Sequence, residues 1–192
     1  MPELPEVETV RQELAPAVAG RRIVAVVQGA FTGALEAADG IDPVAALTGA
    51  RVEGVERRGK YLLLPMQTGL WLIIHLRMTG RLLLLPHEAP PIRFEHLAMV
   101  LDNEMDLRFG DQRKFGRVRV TGPDEVAALG QRLGPEPFDR RLTGRRLQAG
   151  LARRSGPIKA ALLDQRLVAG LGNIYVDEAL YRARIHPGRS AR

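Results

Sequence analysis

The chain has 192 residues, enough for one or two domains with real cores, and 45% of them are hydrophobic, which argues against disorder. It contains no cysteine, so disulfides and thiolate metal sites are excluded within these residues; no apolar run reaches membrane-spanning length, and the N-terminus lacks the apolar core of a signal peptide. The net charge of +6 is unevenly spread: residues 1–139 hold 16 Lys and Arg against 19 Asp and Glu (−3), whereas residues 140–192 hold 12 against 3 (+9). A basic segment joined to a near-neutral one points to a polyanion partner, most simply nucleic acid.

The chain opens Met1-Pro2-Glu3-Leu4-Pro5-Glu6-Val7-Glu8. Removal of Met1 would leave Pro2 as a free secondary amine, and an α-amine titrates near pH 8, so a useful fraction is nucleophilic at neutral pH. A retained Met1 would make that nitrogen an amide, which cannot attack. Glu3 beside it can move protons. Pro5 suits a first helical turn, Glu6 and Glu8 suit the positive end of the helix dipole, and Val7, Val10 and Leu14 recur at helical spacing. A helix is expected here, with Gly20 as its stop.

Strands are expected at Arg22–Val27, Arg51–Glu56, Tyr61–Met66, Leu70–Leu76, Leu82–Leu85, Leu97–Leu101, Asp106–Phe109 and Arg117–Val120. Residues 28–50 read as loop with a short helix after Pro43. Short strands parted by turn residues suggest an antiparallel sandwich or barrel. The pattern changes at Leu133-Gly134-Pro135-Glu136-Pro137, which marks a boundary. We therefore divide the chain into domains at 1–133 and 134–192. In the second, Thr143 can cap a helix reaching Ala152, Pro157 can open another, and Asn173 is an N-cap candidate for a third.

Four further stretches could carry chemistry. Lys60, in Arg57-Arg58-Gly59-Lys60-Tyr61, sits at the mouth of a strand where basic residues can grip phosphates. His75-Leu76-Arg77-Met78-Thr79-Gly80 follows an apolar run, and Met78 is flexible enough to wedge between bases. Asp111-Gln112-Arg113-Lys114-Phe115-Gly116 is a charged loop with an aromatic tip, suited to stacking. Lys159 precedes Gly170-Leu171-Gly172-Asn173, a glycine turn that opens a helix and can bind anions, and Arg153 and Arg154 lie just upstream.

Taken together and in this order, these stretches resemble the bacterial formamidopyrimidine-DNA glycosylases, over essentially the whole chain. The resemblance implies an α+β fold: an N-terminal antiparallel β-sandwich with a catalytic helix, then a helical helix–two-turn–helix domain. It implies a base-excision repair enzyme for oxidised purines with abasic-site lyase activity, acting on double-stranded damaged DNA as a monomer in the bacterial cytoplasm. Pro2 would be the nucleophile, Glu3 the proton carrier, and Lys60 a DNA contact that assists elimination. His75, Arg154, Lys159 and Asn173 would contact the backbone, and Met78, Arg113 and Phe115 would fill the gap left by the lesion. Gln112 and Lys114 depart from the family's loop, and Phe94 stands where the family often has a DNA-contacting histidine, with His96 two residues on. Family members continue past this point with a four-cysteine zinc finger, so a C-terminally shortened chain is expected. No cofactor is expected within these residues. Two alternatives stand beside this reading: a non-catalytic damaged-DNA-binding fragment, and an oxidised-pyrimidine glycosylase of the endonuclease VIII type.

Overall fold

The computed structural model describes residues 2–192; Met1, on which the freedom of the Pro2 amine turns, lies outside the described residues. The chain forms two compact units that divide between Ala127 and Ala128, inside helix α3 (Pro123–Arg132).

In the first unit, helix α1 (Leu4–Val18) begins where Pro5 fixes the first turn. The Glu6 carboxylate accepts from the Glu3 backbone N–H at 2.9 Å, which satisfies one of the donors a helix start leaves open. Leu4, Val7, Leu14 and Val18 form the buried stripe, and Gly20 takes a positive φ of 81° as the chain leaves the helix.

Among the described residues nine strands follow in two sheets. The first has the order β1 (Ile23–Gln28), β7 (Glu95–Leu101), β8 (Met105–Asp111), β6 (Gly80–Pro86). The second has the order β2 (Leu35–Ala37), β9 (Arg117–Thr121), β5 (Trp71–His75), β4 (Tyr61–Pro65), β3 (Glu56–Arg58). Both sheets, α1 and the short helix α2 (Pro43–Leu47) contribute side chains to one core, which includes Leu62, Leu72, Ile74, Leu97, Leu107 and Phe109. The central strands β4 and β5 each bury three consecutive residues, so alternation is lost there.

Two expectations need correction. The sheets are not wholly antiparallel, because β2 runs parallel to β9. The long stretch of chain between them permits that pairing, which a hairpin could not. The expected strand Arg51–Glu56 survives only as isolated bridges at Arg51 and Val52, and regular pairing starts at Glu56, after Gly54 interrupts the run.

The second unit packs α4 (Gly144–Ala152), α5 (Ile158–Leu163) and α6 (Asn173–Ala183) around Ile158, Leu162, Val168, Val176 and Leu180. The Thr143 hydroxyl caps α4 by accepting from the Arg146 N–H at 3.2 Å. Asn173 is not an N-cap. Gly172 holds that position with extended backbone, and Asn173 is the first residue of α6 with its side chain exposed. The turn between α5 and α6 is built by Gln165, whose side chain accepts from the Gly170 N–H at 2.8 Å and donates to the carbonyls of Leu163 and Leu171.

Candidate active site and nucleic-acid interface

Pro2 lies at the head of α1 and lines a cavity of about 360 Å³ together with Met78, Arg81, Arg93, Phe94 and Asp111. Glu3, next to it, is buried. The helix that carries them is fastened to β3 through Glu8, which accepts from Arg57 at 2.8 Å and from Arg11 at 2.7 Å. Arg11, Arg57 and Gln12 hold the Glu8 carboxyl down at about 2 against the opposing effect of burial, with Arg11 the largest cause. Arg57 therefore serves to anchor α1 to β3.

Lys60 occupies the two-residue turn between β3 and β4, where Gly59 takes a φ of 57°. Burial pushes its ammonium down from the usual lysine range, and the attraction of Glu3 and Glu6 opposes that shift. The fold thus places the lysine within electrostatic reach of the residue that follows Pro2.

His75 ends β5 and pairs across the sheet with Tyr61, the residue after Lys60; the two rings meet edge to face at 4.5 Å. Its Nδ1 accepts from the Arg77 backbone N–H at 3.0 Å. Burial, then the nearby positive charges of Arg77 and Lys60, push its pKa down to about 4. A neutral ring that accepts at Nδ1 must carry its proton on Nε2, so His75 offers a neutral N–H donor.

Met78, Arg113 and Phe115 come together although two loops supply them. Arg113 Nη1 lies 3.0 Å from Met78 Sδ, and its guanidinium sits 4.8 Å from the centre of the Phe115 ring. Met78 is 42% exposed and Phe115 is 49% exposed, so two apolar tips project beside a cation. That combination suits insertion into a base stack.

Sequence reasoning missed what holds these tips. The Asp111 carboxylate is 1% exposed and accepts from the backbone N–H groups of Arg113 at 3.1 Å, Phe115 at 2.8 Å and Gly116 at 2.7 Å, and from the Thr79 hydroxyl. Burial raises its pKa, but the bonds from Thr79 and these N–H groups outweigh that and hold it below the ordinary aspartate value. Gly116 is needed because a Cβ there would stand 2.6 Å from the Phe109 ring. A lone aspartate in a charged loop gives no sequence sign of such a role. Lys114, at φ 59°, places its ammonium 5.2 Å from the centre of the Phe31 ring. His96 is buried, with Nε2 2.8 Å from the Asp111 carbonyl and its ring edge-on to Phe31. It supports the loop from beneath.

In the second unit, Arg154 donates to the Gly150 carbonyl at 2.8 Å and to Asp164 at 3.0 Å, which ties the end of α4 to the end of α5. Lys159 in α5 pairs with Asp177 in α6 at 2.8 Å and is only partly buried. Asn173 is exposed at the start of α6. The structure therefore leaves Asn173 open to a ligand, while Lys159 and Arg154 already have partners.

The zinc finger implied by the resemblance has no counterpart among the described residues. They hold no cysteine and no group of three His, Asp or Glu side chains placed to bind a metal, so they do not fit that ion. No described helix is long and apolar enough to cross a membrane.

Comparison with known proteins agrees with this arrangement. The family model for the formamidopyrimidine-DNA glycosylase N-terminal domain matches residues 1–118, and that for the formamidopyrimidine-DNA glycosylase H2TH domain matches residues 133–192. The formamidopyrimidine-DNA glycosylase of Geobacter sulfurreducens is 50% identical over 194 residues, covering 100% of this chain and 70% of the relative. That of Chloroflexus aurantiacus is 48% identical, covering 97% of this chain and 67% of the relative. The Lactococcus lactis Fpg in complex with Fapy-dG-containing DNA superposes with a TM-score of 0.88 at 37% identity, over 98% of this chain and 71% of that one. The same enzyme with abasic-site DNA gives a TM-score of 0.88 over 98% and 69%. The chain belongs to the formamidopyrimidine-DNA glycosylase family.

Proposed function

We propose that this protein is a base-excision repair glycosylase that removes oxidised purines from double-stranded DNA and then cleaves the strand at the abasic site. The observation that carries this reading is the placing of Pro2 beside buried Glu3 on the wall of a cavity that also holds Met78. Two supports are external: the relatives are named formamidopyrimidine-DNA glycosylases, and the Lactococcus lactis enzyme is bound to Fapy-dG and to abasic-site DNA.

The proposed chemistry starts with extrusion of the damaged nucleotide, because its C1′ is out of reach inside the stack. Met78, Arg113 and Phe115 take the space it leaves. The free Pro2 nitrogen forms a bond to C1′ as the bond from C1′ to the base breaks; the base departs with that electron pair and takes a proton from water, and the Pro2 nitrogen passes its own proton to Glu3. Glu3 protonates the sugar ring oxygen, the ring opens, and the nitrogen lone pair closes an iminium. Loss of a C2′ proton then expels the 3′ phosphate. Lys60, with its ammonium made easier to deprotonate by burial, assists this elimination. His75 donates its Nε2 proton to a backbone oxygen. Asn173 and Lys159 take phosphates, Lys159 by exchanging Asp177 for one. Arg154 acts with them or by bracing their helices. We assign the protein to the bacterial cytoplasm, acting as a monomer.

Borohydride reduction with DNA carrying an oxidised guanine or an abasic site tests this. An adduct through Pro2 is expected. Acetylation of the N-terminus should abolish it, and equal adduct from acetylated protein would sink the reading. A Pro2→Gly variant is no substitute for that control, since glycine also supplies an amine. Intact mass reports whether Met1 is removed.

A further inference from the structure

The wall of the Pro2 cavity carries two arginines that the chemistry above does not use. Arg81 and Arg93 both line it. Neither guanidinium makes a hydrogen bond or ion pair among the described residues. Elsewhere in the same unit, Arg108, Arg117 and Arg119 each pair with a carboxylate. The one carboxylate on that wall, Asp111, is taken up by the Thr79 hydroxyl and three backbone N–H groups, so it forms no ion pair with either arginine.

Arg93 is also held in place. Its guanidinium lies 4.7 Å from the centre of the Phe94 ring. Phe94 has a φ of 62°, an uncommon conformation for an aromatic residue. Strand β8 imposes it: the Asp111 N–H donates to the Phe94 carbonyl at 3.0 Å, and a Cβ on Gly110 would stand 3.1 Å from that carbonyl. The result is a ring 40% exposed on the cavity wall with a cation stacked on it. Backbone strain of this kind marks places where a side chain must be aimed. A stacked guanidinium keeps its fork of donors free for a planar or tetrahedral anion and loses less freedom on binding.

We propose that Arg81 and Arg93 bind one phosphate of the strand whose nucleotide is presented to Pro2, with Phe94 as the platform that holds Arg93. This rests on the repair reading given above. The shared chemistry is a phosphate oxyanion, and the source is a DNA phosphodiester in preference to a free anion, because the cavity opens beside two exposed apolar tips suited to base stacks.

The test measures binding of the 192-residue protein to a duplex with a central tetrahydrofuran abasic analogue, and to the undamaged duplex, over a range of salt. The variants are Arg81→Gln, Arg93→Gln, the double variant and Phe94→Ala. Both arginines are exposed and unpaired, so thermal melting should match the wild type. The slope of log K against log salt should fall by about 0.9 in the double variant, the contribution of one phosphate. Phe94→Ala should weaken binding and keep the slope, since the charge remains. An unchanged slope in the double variant, with wild-type protein that selects and cleaves damaged DNA, overturns the phosphate site alone. Wild-type protein that neither selects the abasic duplex nor cleaves an abasic site overturns the repair reading with it. Saturable binding of inorganic phosphate that needs both arginines, with the DNA slope unchanged, would show a free-anion site instead.

Discussion

The Thr79 hydroxyl donates to the buried Asp111 carboxylate and accepts from the Arg113 backbone N–H at 3.3 Å, which joins the loop that carries Met78 to the loop that carries Arg113 and Phe115. The same carboxylate accepts three backbone N–H groups of the second loop. Gln112, which departs from the family's loop, therefore does not leave the loop loose: hydrogen bonds to Asp111 hold it.

Asp111→Asn should show this. Asparagine offers one acceptor oxygen where four donors converge, so some are left unsatisfied at about 1–3 kcal/mol. Chemical denaturation should detect that loss. Its pH dependence follows from the sign of the shift. Asp111 titrates lower in the folded protein than in the unfolded chain, so its contribution is full above about pH 4 and fades as the pH falls through the folded value. A variant as stable as the wild type at pH 7 would mean that the carboxylate does not hold the loop.

Phe115→Ala separates a wedge from a core residue. Phe115 is half exposed, so the substitution should change folding stability by less than about 1 kcal/mol. Cleavage of a lesion paired in duplex DNA should drop about tenfold or more, for a stacking loss of about 1–3 kcal/mol per base. Cleavage of a single-stranded abasic site should drop much less, because nothing has to be extruded. Equal losses on both substrates would exclude the wedge role.

Much of this was legible in the sequence, for physical reasons that differ by region. Seven of the eight expected strands lie where short apolar runs parted by turn residues put them, because local pattern and burial agree there. The parallel pairing of β2 was not legible: three residues, Leu35–Ala37, carry no periodicity, and their partner β9 is far away in sequence. Pro2, Glu3, Met78, Arg113 and Phe115 could be singled out in the sequence because their chemistry is displayed at the chain start or in exposed loops. Asp111 could not, because an aspartate reads as a solvated loop residue until its four donors are seen. The anchoring contact of Arg57 was not legible either, because a basic residue at a strand end looks the same whether its partner is a phosphate or, as here, Glu8.

His75 should stay neutral throughout the physiological range. With its pKa pushed down to about 4 by burial and by the charges of Arg77 and Lys60, it should show no titration between pH 5 and 8 by NMR, and its proton should reside on Nε2. The linkage is destabilising on the acid side. Between the unfolded value near 6.5 and the folded value near 4, the unfolded chain binds the extra proton, so stability falls as the pH drops, by up to about 3 kcal/mol in all. His75→Gln, which retains an N–H donor and cannot titrate, should flatten that stretch of the stability curve. A His75 signal that titrates near pH 6.5 would contradict both the tautomer and the slope.

Arg154 is where the sequence and the structure assign different work, and one variant can choose between them. The resemblance implies a backbone contact. The structure spends its guanidinium on the Gly150 carbonyl and on Asp164, whose own pKa is held well below the ordinary range, first by Arg166 and also by Arg154. Arg166 is 79% exposed, whereas the Arg154 side chain is 26% exposed, so Arg154 is the better screened partner of the two. Removing it should loosen the junction of α4 with α5, costing about 1–2 kcal/mol, while Arg166→Gln, at a solvated pair, should have a much smaller effect. Hydrogen exchange at the amides of α4 and α5 reads the loosening without DNA present. Arg154→Gln with wild-type exchange and a salt slope reduced by about one phosphate would assign Arg154 to the backbone and leave Asp164 to Arg166 alone. Faster exchange with an unchanged slope makes Arg154 a brace for the helices that present Lys159 and Asn173, and that is the outcome its two hydrogen bonds lead us to expect.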